Sequence, residues 1–157
     1  MATTPPQCDR GKYPGLMPRE CVLLAAWLRQ HEAEYDRFDY NVRIGAGVDP
    51  GPSWSDDIRR MAVANSQLRI DAIAWNGNSP TLIEVKDEAG PTAIGQLLSY
   101  DAVWQADNPG TPTPALILVT DHLQANMGTV AQARGIRVDL VPVPASAMPP
   151  KPYYRPA

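Results

Sequence analysis

The segment from Leu68 to Lys86 constrains this chain more than any other. Leu68–Trp75 reads LRIDAIAW and Thr81–Lys86 reads TLIEVK, two runs with the composition and alternation of strands. Between them, Asn76-Gly77-Asn78-Ser79-Pro80 is a hairpin signal. Pairing Trp75 with Pro80 across a four-residue loop sets Asp71 opposite Glu84. Directly opposed residues share a face, with Cβ atoms about 4.5–5.5 Å apart. Lys86, two residues beyond Glu84, points the same way. Two carboxylates and an ammonium group thus meet on one face. Opposed carboxylates repel unless a cation joins them. A hard divalent ion such as Mg²⁺ meets that need, because it takes oxygen ligands and binds through one or two carboxylates plus waters and phosphate. Lys86 would then orient an attacking water or steady charge developing on phosphorus. An exposed strand with ordinary cross-strand ion pairs is the competing reading of the same residues.

The flanking sequence supplies the rest of a fold. Pro18 suits the first turn of a helix, and Cys21, Leu24, Ala25 and Leu28 recur at helical spacing to about Ala33. Glu20 sits in its first turn, where a carboxylate answers the helix dipole. Phe38–Ile44 has strand composition, and Gly45–Ser55 is rich in turn residues. Ser55-Asp56-Asp57 can cap a short helix through Ala64. Pro91 opens another helix, with Ile94, Leu97, Leu98, Val103 and Trp104 on its apolar side, and Asp107–Pro114 is a loop. Ala115–Thr120 (ALILVT) is a continuous apolar run, as in a central strand buried on both faces. A helix over His122–Ala133, a stop at Gly135 and a strand over Ile136–Val143 complete the series. The order predicts an α/β sandwich whose first three strands form a meander and whose last strands follow crossovers, giving a mixed sheet.

Composition narrows the setting. Of 157 residues, 17 are acidic and 14 basic, a formal charge of −3 that excludes a generic basic coat for nucleic acid. Only three of the basic residues are lysine (Lys12, Lys86 and Lys151), so one inside a strand carries weight. No apolar run approaches the roughly 18–20 residues that span a bilayer. The N-terminus has no basic-then-apolar signal pattern. Two cysteines, Cys8 and Cys21, with no CxxC spacing, argue against a structural zinc site and suit a reducing cytoplasm. The 17 prolines cluster at the ends, four in residues 1–18 and six in residues 142–157. That spacing predicts extended arms over 1–17 and 144–157 around a body of residues 18–143.

Asp71-Ala-Ile-Ala-Trp followed by Ile83-Glu84-Val85-Lys86 resembles the PD-(D/E)XK nuclease superfamily. The resemblance implies a three-layer, restriction-endonuclease-like αβββαβ core over about residues 18–141. It implies an enzyme that hydrolyses phosphodiester bonds in DNA with Mg²⁺, or Mn²⁺ in its place. Asp71, Glu84 and the backbone carbonyl of Val85 would bind the metal, Lys86 would act on the nucleophilic water, and Glu20 would assist the metal site from the first helix. RecB-like branches add a Gln and, four residues later, a Tyr on the helix after the triplet, and Gln96-Leu-Leu-Ser-Tyr100 is similar. At that spacing Gln96 and Tyr100 share one helix face. The residue before Asp71 is Ile70 where the family name has proline.

Between Lys86 and Arg134 there is no lysine or arginine, whereas duplex-binding proteins neutralise several phosphates. Grips on DNA must come from Arg10, Lys12, Arg19, Arg43, Arg59, Arg60 and Arg69, with weak and salt-sensitive binding. The arms favour extended conformations that can drape over protein neighbours, which suits a homo-oligomer or a larger assembly. The second reading is therefore a phage virion subunit, such as a head-completion or neck component, using a nuclease-like fold as scaffold.

Overall fold

The computed structural model describes residues 11–151. Five strands, β1 (Arg37–Ile44), β2 (Leu68–Asn76), β3 (Ser79–Ala89), β4 (Ala115–Leu123) and β5 (Ile136–Leu140), form one sheet in the order β1-β2-β3-β4-β5. The first three pair antiparallel, while β3 with β4 and β4 with β5 pair parallel. Helix α1 (Pro18–His31) precedes the sheet and α2 (Asp56–Ser66) lies between β1 and β2. The two parallel connections carry α3 (Pro91–Asp107) and α4 (Met127–Ala133).

Strand alternation divides the core into two layers. Leu23, Leu24, Trp27 and Leu28 of α1 pack on Ala72, Ala74, Ile83, Val85, Ile117 and Val119. On the other face Ile94, Leu97, Tyr100 and Trp104 of α3, with Ala131 of α4, pack on Ile73, Leu82, Leu116, Leu118 and Ile136. The run Leu116–Val119 feeds both layers, which is why it has no polar position. The Trp27 indole N–H enters the core with a partner, donating to Asp139 Oδ2 at 2.8 Å.

One rung breaks the alternation. Phe38 and Tyr40 belong to the α1 layer, but Val42 and Ile44 belong to the α3 layer. On β2, Ala72 and Ala74 face α1 while Ile70 faces α3. Both strands change face between these positions without losing register, since Tyr40 pairs with Ala72 and Val42 with Ile70. The residue at the switch on β1 is Asn41, with φ of 52°. Asparagine is among the few side chains that enter the left-handed region readily. Its counterpart on β2 is Asp71.

The hairpin register is the expected one, with Trp75 opposite Pro80, but Asn76 also pairs with Ser79. The loop is therefore the two residues Gly77 and Asn78, with Gly77 at φ of 55°. The helix expected from His122 begins instead at Met127. There β3 continues to Ala89 and carries β4 with it, pairing Glu88 with His122 and Ala89 with Leu123. Gln124 N–H then donates to Ala89 O, and Asn126 turns the chain at φ of 69°. Strand β5 ends at Leu140, short of Val143, where Pro142 and Pro144 remove the donors a ladder needs.

The described parts of the terminal segments lie on the body. Tyr13 and Leu16 are buried in the α1-side core, and Met148 packs on it. Arg19 Nη1 donates to Pro149 O at 2.6 Å, and Lys151 lies 3.6 Å from Glu88. The outer ends of both expected arms, residues 1–10 and 152–157, lie outside the described residues.

Candidate metal-binding and catalytic cleft

Strands β2 and β3 stay paired only as far as Ala72 with Ile83. Beyond that pair they part, and Asp71 and Glu84 stand at the fork. The Val85 N–H donates to Asp71 Oδ2 at 2.8 Å, so a side chain takes the place of a ladder acceptor there. A cleft of about 660 Å³ opens over this fork, with Glu20, Asp71, Glu84, Lys86, Gln96 and Tyr100 in its wall. All six side chains named from the sequence therefore reach one cavity.

Glu84 is 1% exposed. Lys86 Nζ approaches its Oε1 to 3.1 Å, yet neither Glu84 oxygen accepts a well-directed hydrogen bond among the described residues. Burial pushes Glu84 above the usual carboxylate range, against the pull of the lysine charge. Asp71 is pushed up to about 8, first by burial and then by the charge on Glu84. Burial alone would lower Lys86, but the charges of Glu84 and Glu20 outweigh it and hold Lys86 above its ordinary value. Lys86 is thus a standing cation and hydrogen-bond donor at neutral pH, not a base.

Glu20 fills both roles its position suggested. Its Oε2 accepts the Met17 backbone N–H at 3.0 Å, closing the first turn of α1, while Oε1 lies 3.3 Å from Lys86 Nζ. On α3, Gln96 Nε2 donates to Tyr100 Oη at 3.4 Å, and Gln96 Oε1 is buried without a donor. The Tyr100 hydroxyl is raised by burial and then by the charge of Glu84, so it stays a neutral O–H. The Val85 backbone joins the site through its N–H, with its side chain in the opposite core layer.

Several wall residues escape a search for acids and lysines. Thr92, Gly95, Gln96 and Ser99 line the cleft from α3. Their spacing of three, four and seven marks a polar stripe that helical periodicity could have revealed. Asn41 and Gln67 also line it, and no local sequence signal marks either one. Among the described residues no group of three or more His, Cys, Asp or Glu side chains is arranged to hold a metal ion.

The elements α1, β1, β2, β3, α3 and β4 follow in αβββαβ order, with the two carboxylates and the lysine where the central strands part. The fold is restriction-endonuclease-like. No family model matches this chain, and no curated protein matches it. Similar solved structures include a repair endonuclease from Pyrococcus abyssi, at 17% identity over 48% of this chain and 34% of that one, with a TM-score of 0.42. A protein of unknown function, AF1548, is 14% identical over 74% of this chain and 54% of its own, with a TM-score of 0.45. The EndoMS–dsDNA complex is 14% identical over 83% of this chain and 47% of that chain, with a TM-score of 0.48. This chain thus spans between a third and just over a half of the structures it resembles.

Proposed function

We propose that this restriction-endonuclease-like chain hydrolyses phosphodiester bonds in DNA, with a divalent cation bound at the fork between β2 and β3. One observation carries the reading. Four buried side-chain polar atoms among the described residues lack a hydrogen-bond partner, and three of them, both oxygens of Glu84 and Oε1 of Gln96, belong to residues of this cleft. Buried acceptors without donors are costly unless something supplies the missing charge or proton. A hydrated hard cation does both.

Asp71 and Glu84 would hold the ion, with the carbonyl of Val85 beside them. So small a set of protein ligands suits Mg²⁺, which keeps waters and substrate oxygens in its shell, and Mn²⁺ would substitute. When bound, the cation acidifies a water and offsets charge on the phosphate. Lys86 orients the attacking water through its N–H donors and steadies negative charge as it develops. Glu20 positions Lys86. Tyr100, kept protonated, backs the wall behind Glu84, and the free Gln96 oxygen accepts from water or from a base.

The test incubates purified protein with single-stranded, duplex and branched DNA in Mg²⁺ or Mn²⁺, beside Glu84→Ala and Lys86→Ala. Cleavage should disappear in both variants and in chelator. Equal activity in wild type and variants would remove the assignment.

A further inference from the structure

Of the basic side chains available to grip a polyanion, Arg19, Arg59 and Arg60 are already held by carboxylates. Arg19 bonds Asp87 at 2.9 Å, Arg59 forks onto Asp49, and Arg60 pairs with Asp57. Arg43 and Arg69 differ. They are directly opposed across the β1–β2 ladder, both are exposed, and neither has a carboxylate partner among the described residues. Like charges directly opposed weaken a sheet. A chain with 17 acids against 14 bases has carboxylates to spare, so two bare arginines side by side need another reason.

Their location supplies it. Arg69 lines the cleft, two strand residues or about 7 Å from Asp71. The change of face at Asn41 and Asp71 puts the pair there. With unbroken alternation, positions 43 and 69 would share the face of Ile73 and point into the α3 layer. Because the switch turns Val42, Ile44 and Ile70 into that layer, Arg43 and Arg69 are turned out of it instead. Two adjacent guanidinium groups present planar forks of donors that match a phosphate bidentately.

We infer that Arg43 and Arg69 form a phosphate clamp that holds the nucleic-acid backbone beside the bond being cleaved. The inference rests on the hydrolytic reading for its substrate, but not for its binding chemistry. The clamp grips a phosphodiester about one or two nucleotides from the scissile one. It provides the positive charge that the stretch between Lys86 and Arg134 lacks.

The test compares wild type with the double variant Arg43→Ala/Arg69→Ala and with Arg43→Lys/Arg69→Lys. The control is Arg29→Ala, an exposed arginine roughly 13 Å along α1 from Glu20. Binding of a fluorescent oligonucleotide is followed by anisotropy over a salt series in chelator, and cleavage is measured separately in Mg²⁺. The double alanine variant should bind about tenfold more weakly, with a salt dependence shallower by about one to two units. The lysine variant should keep the salt slope while losing part of the affinity, and Arg29→Ala should match wild type. Wild-type affinity and slope in the double alanine variant would overturn the clamp, as would an equal loss in Arg29→Ala. Binding that needs the pair without cleavage in any metal would sink the hydrolytic reading and leave the clamp standing. Cleavage untouched by the double variant at subsaturating DNA would do the reverse. A wild-type protein that neither binds nor cleaves removes both.

Discussion

At the scale of single residues the cleft trades stability for chemistry. Glu84 is buried, raised above the carboxylate range, and satisfied by no directed hydrogen bond. Glu84→Gln removes that buried charge while Lys86 keeps Glu20 at 3.3 Å. The metal-free variant should therefore unfold at a higher temperature, by an amount equivalent to about 1–2 kcal/mol, and should lose cleavage. The pH dependence follows from the same burial. Asp71 reaches about 8 in the folded protein against 3.8 when unconstrained. The folded state thus holds a proton that the unfolded chain has released, and stability falls as pH rises across that interval. In chelator, melting temperature should decline between roughly pH 5 and 8, and Asp71→Asn should flatten the decline. A wild-type profile as flat as that of Asp71→Asn would contradict the assignment. Added Mg²⁺ should raise the midpoint most at the alkaline end, where both carboxylates are free to bind it. The opposition of Asp71 and Glu84 was legible in sequence because a strand has a period of two and the hairpin fixes its register. Asn41 was not, because its role is a backbone angle that asparagine permits but does not announce.

At the scale of elements, α2 stands apart from the packed layers. None of its residues is buried, and Trp54, Ile58 and Met61 are exposed on or beside it. Polar contacts at its two ends hold it instead. Ser55 Oγ accepts the Ile58 N–H, Asp49 takes the Arg59 fork, and Ser66 Oγ accepts the Val48 N–H. Gly47, at φ of 67°, brings the loop against α2 so closely that a Cβ there would lie 2.4 Å from Val63 O. Ser55→Ala should weaken the helix locally by about 0.5–1 kcal/mol. Amide exchange should quicken over residues 56–66 while global unfolding stays unchanged, and equal slowing or quickening across β2 and β3 would show that α2 is coupled to the core. Hydrogen bonds from Arg59 hold the Asp49 carboxyl down to about 2. Its charge therefore persists until pH falls to about 2, and Arg59→Ala should return its carbon-13 titration to the ordinary range. This helix was legible because its cap is local. The extension of β4 to Leu123 was not, because Thr120-Asp121-His122 carries no strand signal and the residues that fix it, Glu88 and Ala89, belong to another strand.

At the scale of the whole molecule, the two ends of the described chain meet around α1. Arg19 ties the helix start to Asp87 on β3 and to the carbonyl of Pro149, and Met148 packs on the same layer as Tyr13 and Leu16. Prolines announce that such segments are extended, but not which surface they lie against, so the sequence suggested arms while their docking needed the fold. The virion reading leans on those arms, and truncation is its test. The cut must follow Val143, since Val141 is buried and its N–H donates to Thr120 O at 2.9 Å. A chain ending at Val143 loses the Met148 contact, the Arg19 bond to Pro149 and the pairing of Lys151 with Glu88. It should remain folded but less stable by about 1–2 kcal/mol, most of it from apolar burial, since the exposed ion pair adds little. Arg19→Ala in the full chain should reproduce part of that loss and hasten proteolysis within residues 144–151. If light scattering shows the same mass for the full and shortened proteins, the segment serves its own body. A fall in mass with the body still folded would mean that it also reaches a neighbour.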